Sequence, residues 1–216
     1  MTTADFWIER WRSGQTGWHQ PEGNAALRAF WPSLNIAPDA RVLVPFCGKS
    51  PDLAWLHEQG HTVVGVELCA DAIEQFLAEA GLDNATVSDV EQWRIYETDR
   101  LRLIAGDWFT VPTEVVGPID AFYDRAALIA CAPEQRQPYV AQINRLCGPD
   151  AKGLLVTLEH SGASGPPFSV PEALLRDLYE GDWQVALLDR RSVDNVPPAL
   201  AELGPAYECA YRLERR

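Results

Sequence analysis

The chain predicts an open α/β sheet, mostly parallel, with helices on both faces and an antiparallel last strand. Two observations carry that prediction. A strand–helix–strand unit occupies residues 41–68, and apolar strand segments alternate with helical ones along the rest of the chain. Strands separated by helices favour parallel pairing through right-handed crossovers.

Arg41-Val-Leu-Val-Pro45 reads as a short buried strand. Ser50 is a good helix N-cap, Pro51 suits the first helical position, and Asp52 complements the positive helix end. Leu53 and Leu56 lie three apart on one helix face, and Gly60 is a natural stop. His61 to Leu68 is a second strand, nearly all apolar as a doubly covered parallel strand should be. Asp71 to Ala80 is helical, with Ile73, Phe76, Leu77 and Ala80 on one side and Gly81 ending it. Trp93–Tyr96 and Leu101–Ile104 flank the polar turn Glu97-Thr-Asp-Arg100 and read as a hairpin. Further strands are expected at 119–124, 153–159, 183–189 and 207–213, the last two antiparallel. Helices are expected from about Pro138 to Leu146 and from Pro171 to Tyr179. Ser13 to Asn24 and Gly162 to Pro167 lack either period.

No composition break divides the 216 residues, so one domain spanning 1–216 is expected. Lys plus Arg is 18 against 31 Asp plus Glu, a net charge of −13, and no basic run occurs. That field repels nucleic acid and anionic lipid and favours small-molecule chemistry, although solubility alone is an equal explanation of it. The five cysteines are widely spaced without a CxxC pair, so neither a zinc cage nor a redox dithiol is expected, and no metal. The start, MTTADFWIERW, is not a secretory signal, and no run approaches a membrane span. A monomer in the reducing cytoplasm is the expectation.

Ligands of open α/β sheets bind beyond the carboxyl ends of the strands. The turn Pro45-Phe46-Cys47-Gly48-Lys49-Ser50 leads into a helix and offers backbone N–H groups there. Gly48 is its one glycine, so a diphosphate cradle is poorly supported, while an amino-acid end of a ligand fits; an ordinary turn is the competing reading. Glu67 ends the second strand, 19 residues after Gly48, where a carboxylate can accept both hydroxyls of a ribose. Asp107 follows a later strand and can accept from an adenine amine, with Gly106 admitting a flat ring. Gly-Asp is equally a common turn pair.

At these residues the chain resembles the thiopurine S-methyltransferase family. The resemblance lies in Arg41–Leu56 with its VPFCGKS core, Gly60-His61, Val64-Gly-Val-Glu67 and Tyr123-Asp-Arg-Ala-Ala-Leu128. It extends to Phe6-Trp7, Trp11, Gly17, His19 and Gln20, and to Gly165-Pro-Pro-Phe168. The short N-terminus and the GDWF stretch are most similar to the bacterial branch. The resemblance implies a Rossmann-like, seven-stranded methyltransferase sheet, S-adenosylmethionine as cofactor, and methyl transfer to a thiol. It implies cofactor contacts from Trp11, Phe46, Glu67 and Arg125, and Gly106 and Asp107 at the adenine. The stretch Asn195 to Leu203 departs from animal relatives, which carry basic character near there.

Bland alternatives accompany several of these. Trp7 and Trp11 stand at i, i+4 and can be core on one helix face. Arg125 follows Asp124 and can be its structural partner. His19 is a candidate base, yet a lone loop histidine is more often structural. Trp18, His19 and Arg125 are the candidates for the acceptor side. Residues 1–25 are expected to act as a lid, with Trp11 and Trp18 as aromatic walls and Gly14 and Gly17 as hinges. The expected acceptor is a small thiol or chalcogen species. Inorganic selenium, tellurium or halide acceptors compete with it, as do a nicotinamide-dependent oxidoreductase and a cofactor-binding protein without catalysis.

Overall fold

The computed structural model describes residues 4–82, 84–162, 165–193 and 204–216. Asn195 to Leu203, distinctive in the sequence, lies outside the described residues.

Helix α1 (Ala4–Arg12) precedes an irregular segment and α2 (Ala25–Phe30). The central unit is β1 (Arg41–Pro45), α3 (Pro51–Glu58) and β2 (Thr62–Glu67). Ser50 caps α3 by accepting from Asp52 N, Pro51 opens it, and Leu53 and Leu56 are fully buried. Burial contributes about 1.5–3 kcal/mol for each such leucine. Gly60 follows with φ +97°, the left-handed stop that a glycine supplies without strain. Next come α4 (Ala70–Glu79), β3 (Thr86–Val90), β4 (Trp93–Glu97) and β5 (Leu101–Ala105). The chain continues through α5 (Thr113–Val116), β6 (Ile119–Arg125), α6 (Arg136–Leu146) and β7 (Cys147–His160). It ends with α7 (Glu172–Tyr179), β8 (Trp183–Ser192) and β9 (Ala206–Arg215).

The described strands form one nine-stranded mixed sheet, ordered β3-β4-β5-β2-β1-β6-β7-β9-β8. This corrects the seven-stranded expectation. The hairpin arm β4 pairs antiparallel with β5, and β3 pairs antiparallel with β4, so two strands extend the parallel block at one edge. β3 escaped the sequence because all five of its residues are exposed, which erases any inside–outside alternation. At the other end β9 runs antiparallel to both β7 and β8.

Alternation within each central strand feeds two cores, one per sheet face. Val42 and Val44 pack with Leu27, Leu53, Leu56, Ile73 and Phe76 of α2, α3 and α4. Leu43 points the other way and packs with Val115, Tyr139, Ile143, Leu175 and Tyr179 of α5, α6 and α7. β1 pairs in parallel with both β2 and β6, so the chain direction of travel reverses at β1. Such a switch point opens a crevice at the carboxyl ends of its strands.

Candidate functional site

Phe46 leaves β1 with φ +47°, rare for a bulky side chain and costly unless its surroundings enforce it. Its ring is held edge-on by Tyr139 at 5.6 Å, Trp108 at 6.1 Å and Phe109 at 6.3 Å. Two residues on, Gly48 has φ +52°, and a Cβ there would stand 2.7 Å from Trp11 Cζ2. The close approach that this glycine permits is made by the protein's own indole. Cys47 fills the space over Gly65, and burial pushes its thiol well up, with the charge of Glu67 adding to it. A thiol so placed packs and does not attack.

Glu67, 5% exposed, staples two loops together. Its Oε2 accepts from Gly48 N at 3.0 Å and its Oε1 from Cys69 N at 2.9 Å. Burial raises its carboxyl, and the backbone N–H groups of Cys69, Gly48 and Leu68 pull it back. Each oxygen keeps a further lone pair for a hydroxyl donor. Gly106 donates to the Glu67 carbonyl at 2.9 Å, and a Cβ there would stand 2.4 Å from Trp93 Cδ1. The flat ring that Gly106 admits is thus Trp93. Asp107 is exposed; its Oδ1 accepts from Phe109 N at 3.0 Å, and its Oδ2 has no partner among the described residues.

Asp124 and Arg125 do not pair. Arg125 Nη1 donates to the Trp18 carbonyl at 2.7 Å, gripping the irregular N-terminal segment. Asp124 is fully buried and accepts from Tyr139 Oη at 2.7 Å and Leu128 N at 3.2 Å, so it fixes the ring that braces Phe46. Burial pushes its carboxyl up to about 6, against the opposing pull of those hydrogen bonds. A carboxyl raised on folding stabilises the protein at low pH, and that contribution is lost as pH rises through the folded value. Raising the group from 3.8 to about 6 corresponds to about 3 kcal/mol. Asp124→Asn keeps an acceptor for Leu128 N, and the Tyr139 hydroxyl can turn to accept from the new amide. Relative to wild type, the variant should gain about 2 kcal/mol between pH 4 and pH 7, most of the full difference. Urea unfolding across that range checks this; parallel curves would refute it.

The N-terminal segment covers the crevice with aromatic rings. Trp11 is buried and Trp7 half-buried on α1, and each meets Trp18 edge to face, at 5.7 Å and 5.3 Å. Trp11 also packs on Cys69 and Ala72 of the loop and helix after β2. His19 follows, half-buried; burial, then the nearby Lys49, pushes its imidazole below its ordinary 6.5. It is therefore neutral at pH 7.

These elements enclose a cavity of about 800 Å³, within the range of small-molecule sites. Trp11, Phe46, Glu67, Asp107 and Arg125 line it, as do Trp18 and His19. Gly48 and Gly106 stand behind that wall, against Trp11 and Trp93. Trp108, Thr157 and Glu208 line it too, without having been singled out in the sequence. Only Trp108, beside Asp107, had a local signal. The Trp108 indole N–H and the Thr157 hydroxyl are buried without partners among the described residues. Acceptor lone pairs on one side, an arginine in the middle and apolar rings around them suit a nucleoside-bearing ligand beside a second small molecule.

A family model described as Thiopurine S-methyltransferase (TPMT) matches residues 2–216. The thiopurine S-methyltransferase of Pseudomonas syringae pv. syringae (strain B728a) is 41% identical, covering 99% of this chain and 98% of the relative. That of Bordetella petrii is 40% identical, covering 99% of each. Among solved structures, 1,6-didemethyltoxoflavin-N1-methyltransferase of Burkholderia thailandensis, with bound S-adenosylhomocysteine, aligns with a TM-score of 0.62 at 21% identity. That alignment covers 98% of this chain and 86% of the other, and it bears on the fold alone.

Proposed function

Because the chain belongs to the thiopurine S-methyltransferase family and uses S-adenosylmethionine, we propose that it methylates the sulfur of thiopurines or related heteroaryl thiols. The observation that carries this proposal is a single cavity shared by the carboxylates Glu67 and Asp107, the cation Arg125 and a wall of indoles.

The residues fit the cofactor. Glu67 has a spare lone pair on each oxygen for ribose hydroxyls, and Asp107 Oδ2, without a partner among the described residues, can accept from an amine donor. The loop Phe46 to Ser50 and the Trp11 ring would flank the amino-acid end. When bound, S-adenosylmethionine supplies a methyl group already activated on a sulfonium.

The protein's part is then positioning and exclusion of water. Arg125 spends one N–H on Trp18 and has others to favour an anionic sulfur. Trp18 and neutral His19 supply a flat wall and a polar edge on the acceptor side. Heteroaryl thiols ionise substantially near neutral pH, so no strong base is needed. Residues 1–25 serve as the lid, clamped at its base by Arg125.

Labelled S-adenosylmethionine offered with 6-mercaptopurine, thiophenol, selenite, tellurite and iodide tests the proposal. Methyl transfer to the sulfur acceptors should dominate by at least about tenfold in kcat/KM, the scale on which a built pocket separates acceptors. Transfer confined to selenium, tellurium or iodide would overturn it. S-adenosylhomocysteine binding without transfer to any acceptor would leave a cofactor-binding protein.

A further inference from the structure

Glu208 lies in β9, opposite Leu158 of β7, and its side chain lines the cavity. In the sheet, β7 and β9 lie across β1 and β6 from β2 and β5, whose ends carry Glu67 and Asp107. Glu208 is therefore a carboxylate of the half away from the nucleoside acids, where Glu134 after β6 also lines the cavity.

Its side chain is 14% exposed and held from two directions. Oε1 takes the Arg191 guanidinium, through Nε at 3.0 Å and Nη2. Among the described residues Oε2 accepts from one donor, Asn24 Nδ2, at 3.1 Å. That same nitrogen donates to Gln20 Oε1 at 3.2 Å. Asn24 Oδ1 caps α2 through Ala26 N at 2.9 Å, so the nitrogen is necessarily the end that faces Gln20 and Glu208. Buried Asn24 thus yokes two side chains that both line the cavity. Gln20, its oxygen committed, has its Nε2 donor without a partner among the described residues. Glu208 Oε2 retains a lone pair. The protein offers one donor and one charged acceptor, both tied to the same Asn24 amide nitrogen.

We propose that Gln20 and Glu208 recognise the edge of a cyclic thioamide acceptor, Glu208 taking the ring N–H and Gln20 a neighbouring ring nitrogen or carbonyl. This rests on the thiol-methylating reading above. The fraction of the acceptor that is still protonated enters as its thione, HN–C=S, beside the anionic form that Arg125 favours. Its sulfur forms the new S–CH3 bond with its own electron pair, and the pair of the breaking bond stays with the leaving thioether sulfur. C=S becomes C–S, the N–H pair becomes the C=N bond, and the proton passes to Glu208 and on to water. A charge-assisted hydrogen bond of this kind strengthens as the N–H acidifies, so it acts on turnover as well as on binding. Simple aryl thiols have no N–H and gain nothing from the pair.

The test compares 2-thiopyridone with thiophenol. Wild type should prefer 2-thiopyridone, and Glu208→Gln should lower that preference in kcat/KM by about 10–100-fold, the scale of a lost bond to a charged group. Calorimetry of 2-thiopyridone binding to the S-adenosylhomocysteine complex should show a loss in the same direction. Gln20→Ala should act likewise and more weakly. Parallel losses on both acceptors, or an unaltered preference, would overturn the assignment and leave Glu208 as an anchor for Asn24. Should Glu208→Gln fail to fold, an unaltered preference in Gln20→Ala overturns it equally. A wild type that methylates thiophenol but lacks the preference sinks only this inference. One that methylates no thiol sinks the reading beneath it as well.

Discussion

Glu67→Gln is expected to weaken S-adenosylhomocysteine binding by about two to three orders of magnitude, or about 3–4 kcal/mol. Glutamine is nearly isosteric, so the loss is electrostatic and not a matter of packing. The buried carboxylate accepts from Gly48 N and Cys69 N at once. A carboxamide has one acceptor end, and its NH2 would face one of those N–H groups. A buried donor left unsatisfied costs about 1–3 kcal/mol. The two staples also set the spacing between the Phe46–Ser50 loop and the turn after β2, so losing one loosens both. Any hydroxyl accepted by the same oxygen is lost as well. Titration calorimetry reads the effect directly, with the melting temperature as a control for folding. A change in affinity below threefold would mean that Glu67 staples loops and touches no ligand.

Deleting residues 1–20 is expected to lower kcat/KM for thiol methylation by at least about a thousandfold, a part of what positioning supplies. The deletion removes Trp7, Trp11 and Trp18, opens the cavity to water, and leaves Arg125 without the Trp18 carbonyl. It also bares Cys69 and Ala72, which Trp11 covers. Trp18→Ala is the gentler companion. It keeps the backbone carbonyl for Arg125 but removes the ring that bridges Trp7 and Trp11. Its expected loss is about tenfold, since two edge-to-face contacts at about 0.5–1.5 kcal/mol each disappear. Cofactor affinity and turnover both intact after the deletion would show that the segment is no lid.

Legibility in the sequence followed locality. Ser50, Pro51 and Asp52 act on the backbone within two residues of themselves, and Gly60 on its own dihedral, so α3 and its ends could be read directly. Apolar runs marked β1 and β2 because both of their faces are covered. Glu67 and Asp107 could be singled out because strand ends in such sheets point at the crevice. β3 was invisible because it buries nothing, and pairing with β4 alone makes it a strand.

The chain by itself determined the α/β alternation, the central strand–helix–strand unit, the loop from Phe46 to Ser50 and the acids beyond it. Only the tertiary structure decided what those residues touch. It put Trp11 where the Gly48 side chain would be and Trp93 where that of Gly106 would be. It sent Arg125 to Trp18, 107 residues away, and not to its neighbour Asp124. It joined Asn24 to Glu208 across 184 residues. The physical reason is range. Caps, turns and periodicity are set by hydrogen bonds and dihedrals a few residues apart, whereas a partner across the sheet is chosen by the whole packing, which no local pattern encodes.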